Sequence, residues 1–162
     1  LRIFNNYGPR AHYEGDSGEV IPRSIVNIIY NNSPIIFGDG LITRDFFYVK
    51  DTAKLLSSLL HNNKINGETI NIGTGIEITM KTLLETIINL MPNKNIKIKY
   101  LKERPADVPR LWVDNTKMKS LIENFKFQDF KTGLNQTIDY YLELSKSKNL
   151  LKEMSLINWI KK

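Results

Sequence analysis

The sequence predicts an α/β protein. Short apolar strands alternate with segments whose apolar residues recur at helical spacing. Turns containing glycine or proline separate these segments. The strands are connected mainly through helices, as in α/β proteins, but they are too few for a doubly wound sheet. The 162 residues have the length of one domain, and the sequence shows no internal boundary.

The first 31 residues are predicted to form a strand, a loop and a helix. Residues 1–4 (LRIF) favour a buried strand that leads into a turn at residues 5–9. Residues 11–18 are polar and contain glycine, which favours a loop. Residues 20–31 carry apolar side chains at helical spacing, and Pro22 is tolerated in a first helical turn.

Residues 34–51 (PIIFGDGLITRDFFYVKD) organise the middle of the chain. We predict strands at 34–37 and 46–49, with a turn at 38–40 because glycine adopts positive φ without a Cβ penalty. Asp51 is predicted to be the N-cap of a helix over 52–60. This places Arg44 near a turn and a helix start, where an anionic ligand could be held. The predicted buried face of the helix consists of Leu55, Leu56, Leu59 and Leu60.

A strand at residues 69–72 and a helix from Thr79 flank two glycines, Gly73 and Gly75. This order resembles a dinucleotide-binding fingerprint, but the third glycine would fall at Ile78, where helix and strand must approach closely. We therefore interpret both glycines as turn residues. The side chains predicted to face inward from the helix are Leu83, Leu84, Ile87 and Ile88.

The last third of the chain is predicted to contain a strand, a loop and two helices. Pro92 ends the preceding helix, and residues 96–101 alternate as a strand with one wet face. Two prolines make residues 104–110 an extended loop. Asp114 is predicted to cap a helix that carries Met118, and residues 133–144 form the last clear helix. We assign no function to the weakly helical tail, residues 145–162.

The composition excludes several kinds of partner. The net charge is +6, but 17 of the 23 basic residues are lysines in runs no longer than two, typical of a solvated surface. We therefore expect no nucleic-acid partner. No apolar run approaches the roughly 18 residues of a membrane span, so we expect no membrane association. The absence of cysteine fits a reducing cytoplasm, and two distant histidines predict no metal site.

Five segments together resemble a known family: LRIFNNYGPR at 1–10, GEVIPRSI at 18–25, GDGLITRDFFYVKD at 38–51, ETINIGTG at 68–75 and RPADVPRLWVD at 104–114. They resemble the extended short-chain dehydrogenase/reductases, the NAD-dependent epimerases and dehydratases of nucleotide sugars. The resemblance implies the C-terminal substrate-binding part of a Rossmann-like fold, without the N-terminal NAD-binding βαβ units. It makes residues 1–162 one substrate-binding portion, with 1–5 and about 42–75 at the edge of the Rossmann domain.

The resemblance also implies roles for particular residues. Arg44 and Arg104 match the family's two diphosphate-binding arginines, and a planar guanidinium suits phosphate better than an ammonium does. Asp107 matches the ribose position, where a carboxylate accepts hydrogen bonds from hydroxyls. The remaining implied contacts are Asn5 with the phosphates and sugar, Val20, Ile35, Ile36 and Phe37 with the base, and Ile3 and Phe4 near the nicotinamide.

The catalytic residues of the family are not found in this chain. None of the seven tyrosines has a lysine four residues later, so the family's tyrosine base and its lysine partner are absent. The glycine-rich loop that binds most of the NAD is absent as well. In the family both precede the position of Leu1, and the chain opens on an apolar strand without methionine. We therefore expect the C-terminal half of an enzyme, inactive by itself.

Three departures from the family pattern leave the sugar open: Ile3 replaces an aromatic residue, Ala106 a glycine and Ile42 a glutamine. We expect an NAD-dependent UDP-glucose/UDP-galactose 4-epimerase, with a 4,6-dehydratase or a UDP-glucuronate decarboxylase as alternatives. A non-catalytic module that binds nucleotide sugars and a basic nucleic-acid-binding domain are hypotheses of other classes. Full-length family members are often homodimers, but their usual interface lies mostly upstream.

Overall fold

The computed structural model describes residues 1–93, 95–122 and 124–155. These ranges contain five α-helices: α1 (Val20–Ile29), α2 (Val49–Leu59), α3 (Met80–Leu90), α4 (Thr116–Leu121) and α5 (Phe130–Ser147). They also contain nine short strands: β1 (Arg2–Ile3), β2 (Asn6–Tyr7), β3 (Ile35–Phe37), β4 (Thr43–Arg44), β5 (Phe47–Tyr48), β6 (Asn71–Ile72), β7 (Ile78–Thr79), β8 (Lys99–Leu101) and β9 (Arg110–Leu111). The α/β class is confirmed.

The strands form four small sheets in which parallel pairing dominates. β1 pairs with β6, β2 with β5 and β3 with β8, all in parallel. In the three-stranded sheet β4 lies between antiparallel β7 and parallel β9. β4 is therefore the central strand, and it carries Arg44. The pairing brings residues 1–5 next to the 42–75 segment; their place at the edge of a Rossmann domain stays a prediction.

Helix α1 lies at the centre of the main hydrophobic core. It packs against α3 and α5, and its Ile25 and Val26 are fully buried. A second cluster lies under α2, around Phe47 and Leu55. Contacts with α3 and α5 hold α1 in place, which matters because one face of α1 forms a wall of the cleft described below.

Several predicted elements are confirmed. α1 occupies most of the predicted helix, β3 forms where a strand was predicted, and Gly38 and Gly40 adopt φ values of 80° and 83° in the turn after it. Thr79 caps α3 by accepting a hydrogen bond from the Thr82 N–H at 3.0 Å. The four side chains predicted to face inward from α3 are buried.

The prediction for α2 is wrong in two respects. The helix begins at Val49, so Asp51 is not its N-cap; the buried Asp51 carboxylate instead accepts a hydrogen bond from the Gln128 N–H at 2.6 Å. Leu56 and Leu60 are 44% and 75% exposed, although both were predicted to be buried. Of the four leucines only Leu55 and Leu59 are buried, because the residues that follow each of them lie about 100° further round the helix.

The ends of the chain also differ from the prediction. Residues 1–4 are not a buried strand: only Arg2–Ile3 pair, and Leu1 and Ile3 are 47% and 41% exposed because β1 has β6 as its partner and little packs over it. The predicted turn at 5–9 contains strand β2, because Asn6 and Tyr7 pair with β5.

Smaller differences occur at the caps and boundaries of the later elements. Asn115, not Asp114, is the N-cap of α4, and the Asp114 carboxylate accepts from the Thr116 N–H at 2.9 Å. α5 begins at Phe130, earlier than predicted, because Asp129 caps it. In the tail, Leu150–Glu153 form a 3₁₀ helix, and residues 156–162 lie outside the described ranges. None of the described helices is long and apolar enough to cross a membrane.

Candidate functional site

A cleft of about 160 Å³ opens between α1, β3, β4 and the loop that contains residues 104–107. The structure brings together around this cleft all eight residues that the family resemblance placed at the nucleotide sugar. They are Asn5, Val20, Ile35, Ile36, Phe37, Arg44, Arg104 and Asp107. Their roles in binding stay predictions.

Arg44 enters the cleft from the central strand β4. Its Nη1 donates hydrogen bonds of 2.7 Å to the carbonyl oxygens of Thr43 and Val108, which fix the guanidinium. Burial lowers the pKa of Arg44, the Asp107 carboxylate raises it, and the charge of Arg104 lowers it again. Arginine still stays protonated in proteins. The cleft therefore contains a half-buried, positioned cation.

Arg104 comes from the loop between β8, which pairs with β3, and β9. Its Nε donates to Asp107 Oδ2 at 2.8 Å, and its guanidinium lies 4.7 Å from the centre of the Phe37 ring. The stacking holds the guanidinium plane against an apolar side chain, and the ion pair fixes its direction. Asp107 thus orients Arg104, and its Oδ1 has no hydrogen-bond partner within the described ranges.

Asn5 lies directly after β1 with an unusual positive φ of 22°. Its side-chain Nδ2 donates to the carbonyl oxygen of Asp45 at 3.0 Å, and its own carbonyl accepts from the Phe47 N–H at 3.2 Å. These two bonds hold Asn5 at the junction between β4 and β5. Its amide therefore lies beside Arg44, at the carboxyl end of a parallel strand, where α/β proteins gather ligand contacts.

Sequence reasoning missed three polar residues of α1 that also line the cleft: Arg23, Ser24 and Asn27. All three are buried, with 6%, 3% and 6% of their surface exposed. The sequence did contain a signal for these residues: they are polar, they recur at spacings of three and four residues, and the rest of the helix is apolar. The missed apolar lining residues are Ile42, Phe46, Met80 and Leu84.

Sequence reasoning also missed the structural role of Asp45. It is fully buried, and its Oδ1 accepts from the N–H and hydroxyl of Thr74 at 3.0 and 2.6 Å. Its Oδ2 accepts from the N–H groups of Gly75 at 2.8 Å and Val113 at 3.4 Å. The carboxylate thus fastens the loop after β6 and the segment after β9 to β4.

The hydrogen bonds of Asp45 decide whether the loop at residues 73–75 could bind the family's NAD cofactor. The N–H groups of Thr74 and Gly75 are already bonded to Asp45, and a Cβ at Gly73 would lie 2.6 Å from the Val113 side chain. The loop is a packed turn, so it does not fit the pyrophosphate of a dinucleotide. Gly73 and Gly75 are turn residues, as predicted.

Ile3 and Phe4, expected near the nicotinamide, lie at β1 and not among the residues that line the cleft. Ile3 is exposed and Phe4 is half-buried, so the structure does not join them to the other eight residues, and their role stays a prediction. Within the described ranges there is no cluster of three or more histidine and acidic side chains arranged to hold a metal ion.

A family model described as GDP-mannose 4,6 dehydratase matches residues 1–137. The chain belongs to the extended short-chain dehydrogenase/reductase family. Members related to this chain are NAD-dependent nucleotide-sugar epimerases and dehydratases. The part of the family fold that it matches is the C-terminal portion.

Related proteins of this family differ in the reaction named for them. A putative UDP-glucose 4-epimerase of Methanocaldococcus jannaschii is 39% identical over 86% of this chain and 44% of its own length. A UDP-N-acetyl-α-D-glucosaminuronate decarboxylase of Bacillus cytotoxicus is 32% identical over 89% of this chain and 46% of its own. The chain thus spans about half the length of the curated relatives that it matches.

A solved structure shows the same fold. The UDP-N-acetylglucosamine 4-epimerase of Methanobrevibacter ruminantium M1, in complex with UDP-N-acetylmuramic acid, superposes with a TM-score of 0.81 and 32% identity. The superposition covers 89% of this short-chain dehydrogenase/reductase chain and 46% of the epimerase.

Proposed function

We propose that this chain supplies UDP-sugar recognition for an NAD-dependent nucleotide-sugar epimerase, of the UDP-glucose/UDP-galactose 4-epimerase kind. The observation that carries the proposal is the pair of positioned arginines in one cleft. Arg44 comes from β4 and Arg104 from a separate loop, and both line the cleft beside the apolar strand β3. The named activities of the relatives support a nucleotide-sugar substrate.

The arginines suit a diphosphate for electrostatic reasons. A nucleoside diphosphate carries at least two negative charges, and a guanidinium can donate two parallel hydrogen bonds to phosphate oxygens. Because Arg44 and Arg104 are held in place before the ligand arrives, binding requires little ordering of side chains. Asn5 lies beside Arg44, so its amide can donate to a phosphate or a sugar hydroxyl.

The chain's part in the reaction is binding and orientation. Holding the nucleotide firmly while the hexose stays free to turn is what a 4-epimerase requires of this part of its site. The described residues offer no cradle for the pyrophosphate of NAD, so we derive no hydride-transfer step from them. We assign the NAD site and the catalytic base to a longer protein of which this chain is part.

Two other reactions use the same kind of nucleotide site. The decarboxylase relative and the dehydratase family model support a UDP-glucuronate decarboxylase or a 4,6-dehydratase as alternatives. A non-catalytic module for binding nucleotide sugars stays the hypothesis of another class. Conversion of UDP-glucose to UDP-galactose by the longer protein separates the epimerase from all three. A homodimer and a cytoplasmic location stay predictions.

Binding of UDP to this chain, measured by isothermal titration calorimetry, tests the recognition role. We expect Arg44→Ala and Arg104→Ala each to weaken UDP binding by about 1.5–3 kcal/mol, the contribution of a hydrogen bond to a charged group. Arg110→Ala is the matched control, because Arg110 is an exposed arginine that pairs with Glu77 and does not line the cleft. Unchanged affinity in both cleft variants would refute the proposal.

A further inference from the structure

The loop at residues 11–18 connects two walls of the cleft. Asn5, which lies on one wall, precedes this loop, and α1 begins at Val20 on the other wall. Both residues also line a second cavity of about 330 Å³. The loop contains no helix and a single bridge residue, Gly15. Its conformation therefore bears on the distance between the two walls.

The segment at residues 148–155, here called the strap, lies against this loop. The Gly15 N–H donates to the Glu153 carbonyl at 2.8 Å, and the Ser155 N–H donates to the Gly15 carbonyl at 3.0 Å. Leu150 is fully buried and packs in the main hydrophobic core, which anchors the strap. Gly15, by contrast, is exposed. The loop is therefore the segment that moves if the two separate.

The Glu153 carboxylate joins the strap to the loop through side chains. Its Oε2 accepts hydrogen bonds from the Tyr13 hydroxyl and, at 2.8 Å, from Lys148 Nζ. Tyr13 is buried, and its ring packs edge-on against Tyr141 with 5.8 Å between the ring centres. The bond from Lys148, and then the bond from Tyr13, lowers the pKa of Glu153, so the carboxylate is ionised at neutral pH. Hydrogen bonds to an ionised acceptor are stronger than bonds between neutral groups.

Arg23 connects the loop and the strap to the cleft. This residue of α1 lines the cleft and is buried. Its Nη1 donates to the Gly15 carbonyl at 2.7 Å, and its Nη2 donates to the Ser155 carbonyl. One side chain thus bridges the loop, the strap and the helix that carries Val20. Separating the loop from the strap breaks one of these two bonds, so the contact between the two segments extends to the α1 wall of the cleft.

We propose that the strap is a latch that keeps the 11–18 loop, and with it the α1 wall, in the arrangement that binds the nucleotide sugar. This inference rests on the proposed function, because the latch regulates the same cleft. A wall that is ordered before the ligand arrives needs no ordering on binding, whereas release of the loop lowers the fraction of chains that can bind. Such coupling is reciprocal, so a bound nucleotide must also keep the loop closed. None of the described strap residues lines the cleft, so the latch acts through the loop and Arg23.

Hydrogen–deuterium exchange of residues 11–18 tests the latch in Glu153→Ala, with Glu143→Ala as the matched control. Glu143 also pairs with a lysine, Lys146 at 2.6 Å, but this pair is exposed on α5 and neither residue bonds to the loop within the described ranges. We expect Glu153→Ala to speed the exchange of the loop at least about tenfold, through the loss of charge-assisted bonds, and the control to leave it unchanged. Unchanged exchange in Glu153→Ala would overturn the inference.

UDP shows whether the latch extends to the cleft. We expect saturating UDP to slow the exchange of the loop in the wild-type chain, and calorimetry to give about two- to fivefold weaker UDP binding for Glu153→Ala. Tyr13→Phe keeps the ring and removes the hydroxyl, so it should show both effects to a smaller extent, and it decides the question if Glu153→Ala fails to fold. Loop exchange that bound UDP leaves unchanged, or a UDP affinity of Glu153→Ala equal to that of the control, would overturn the inference. If the wild-type chain does not bind UDP, the proposed function fails, and the exchange of Glu153→Ala still decides whether the strap holds the loop.

Discussion

Replacing Asp45 with asparagine tests whether this buried carboxylate holds the cleft together. Each carboxylate oxygen accepts from two donors, the N–H and hydroxyl of Thr74 on Oδ1 and the N–H groups of Gly75 and Val113 on Oδ2. Asparagine keeps the shape but places an NH₂ group against one of these donor pairs. One or two charge-assisted bonds are lost, at about 1.5–3 kcal/mol each, so we expect Asp45→Asn to destabilise the fold by about 1.5–6 kcal/mol.

The measurement is urea unfolding followed by circular dichroism. Asp39→Asn is the matched control, because the exposed Asp39 accepts a single bond, from the Leu41 N–H at 2.9 Å. We expect the control to change the free energy of unfolding by less than about 1 kcal/mol. If Asp45→Asn were no more destabilising than Asp39→Asn, the four bonds would not stabilise the loop, and the argument for a packed, ligand-free glycine turn would be refuted.

Two further predictions concern α5 and the sheet beside the cleft. Gly133→Ala should destabilise the fold by about 1–3 kcal/mol in the same urea assay, because the new Cβ would collide with Tyr7 and the Tyr48 ring. This cost outweighs the higher helix propensity of alanine. A variant more stable than the wild type would contradict this packing. A hydrogen bond from Arg110, and to a smaller extent one from Thr43, lowers the pKa of Glu77 to about 2. The ionised Glu77 therefore stabilises the fold fully above its ordinary pKa of 4.5, and this stabilisation is lost as the pH falls from 4.5 towards about 2. In an NMR titration, Arg110→Ala should raise this pKa towards 4.5, and an unchanged value would mean that the ion pair is not its cause.

Local patterns predicted the elements whose packing follows from one segment alone. The helical spacing of apolar residues located α1 and α3, and the glycine turn located the end of β3. The eight residues predicted to contact the nucleotide sugar came from the family resemblance, and the fold brings them into one cleft. The correct placements of α1, α3 and the turn share a cause, since each of these local patterns carries its own geometry. The binding roles of the eight residues stay predictions.

The failures involve partners that are distant in the sequence. Asp51 looked like a helix cap, but its partner is the backbone of Gln128, 77 residues away. Leu56 was predicted to be buried, but it is exposed, because none of the described elements covers that side of α2. Asp45 gave no local signal, because its donors lie 29 to 68 residues further along the chain. Contacts of this kind depend on tertiary packing, which spacing within one segment does not encode.

The tether of Arg23 has an electrostatic consequence. The guanidinium reaches from the cleft wall to the carbonyls of Gly15 and Ser155, so the carboxyl-terminal region determines where this third cation of the cleft points. A chain cut before Ser155 would lose one of the two acceptors. The Gly15 carbonyl would remain, so one hydrogen bond instead of two would hold the guanidinium. The direction of this cation in the cleft thus depends on a segment that does not line the cleft.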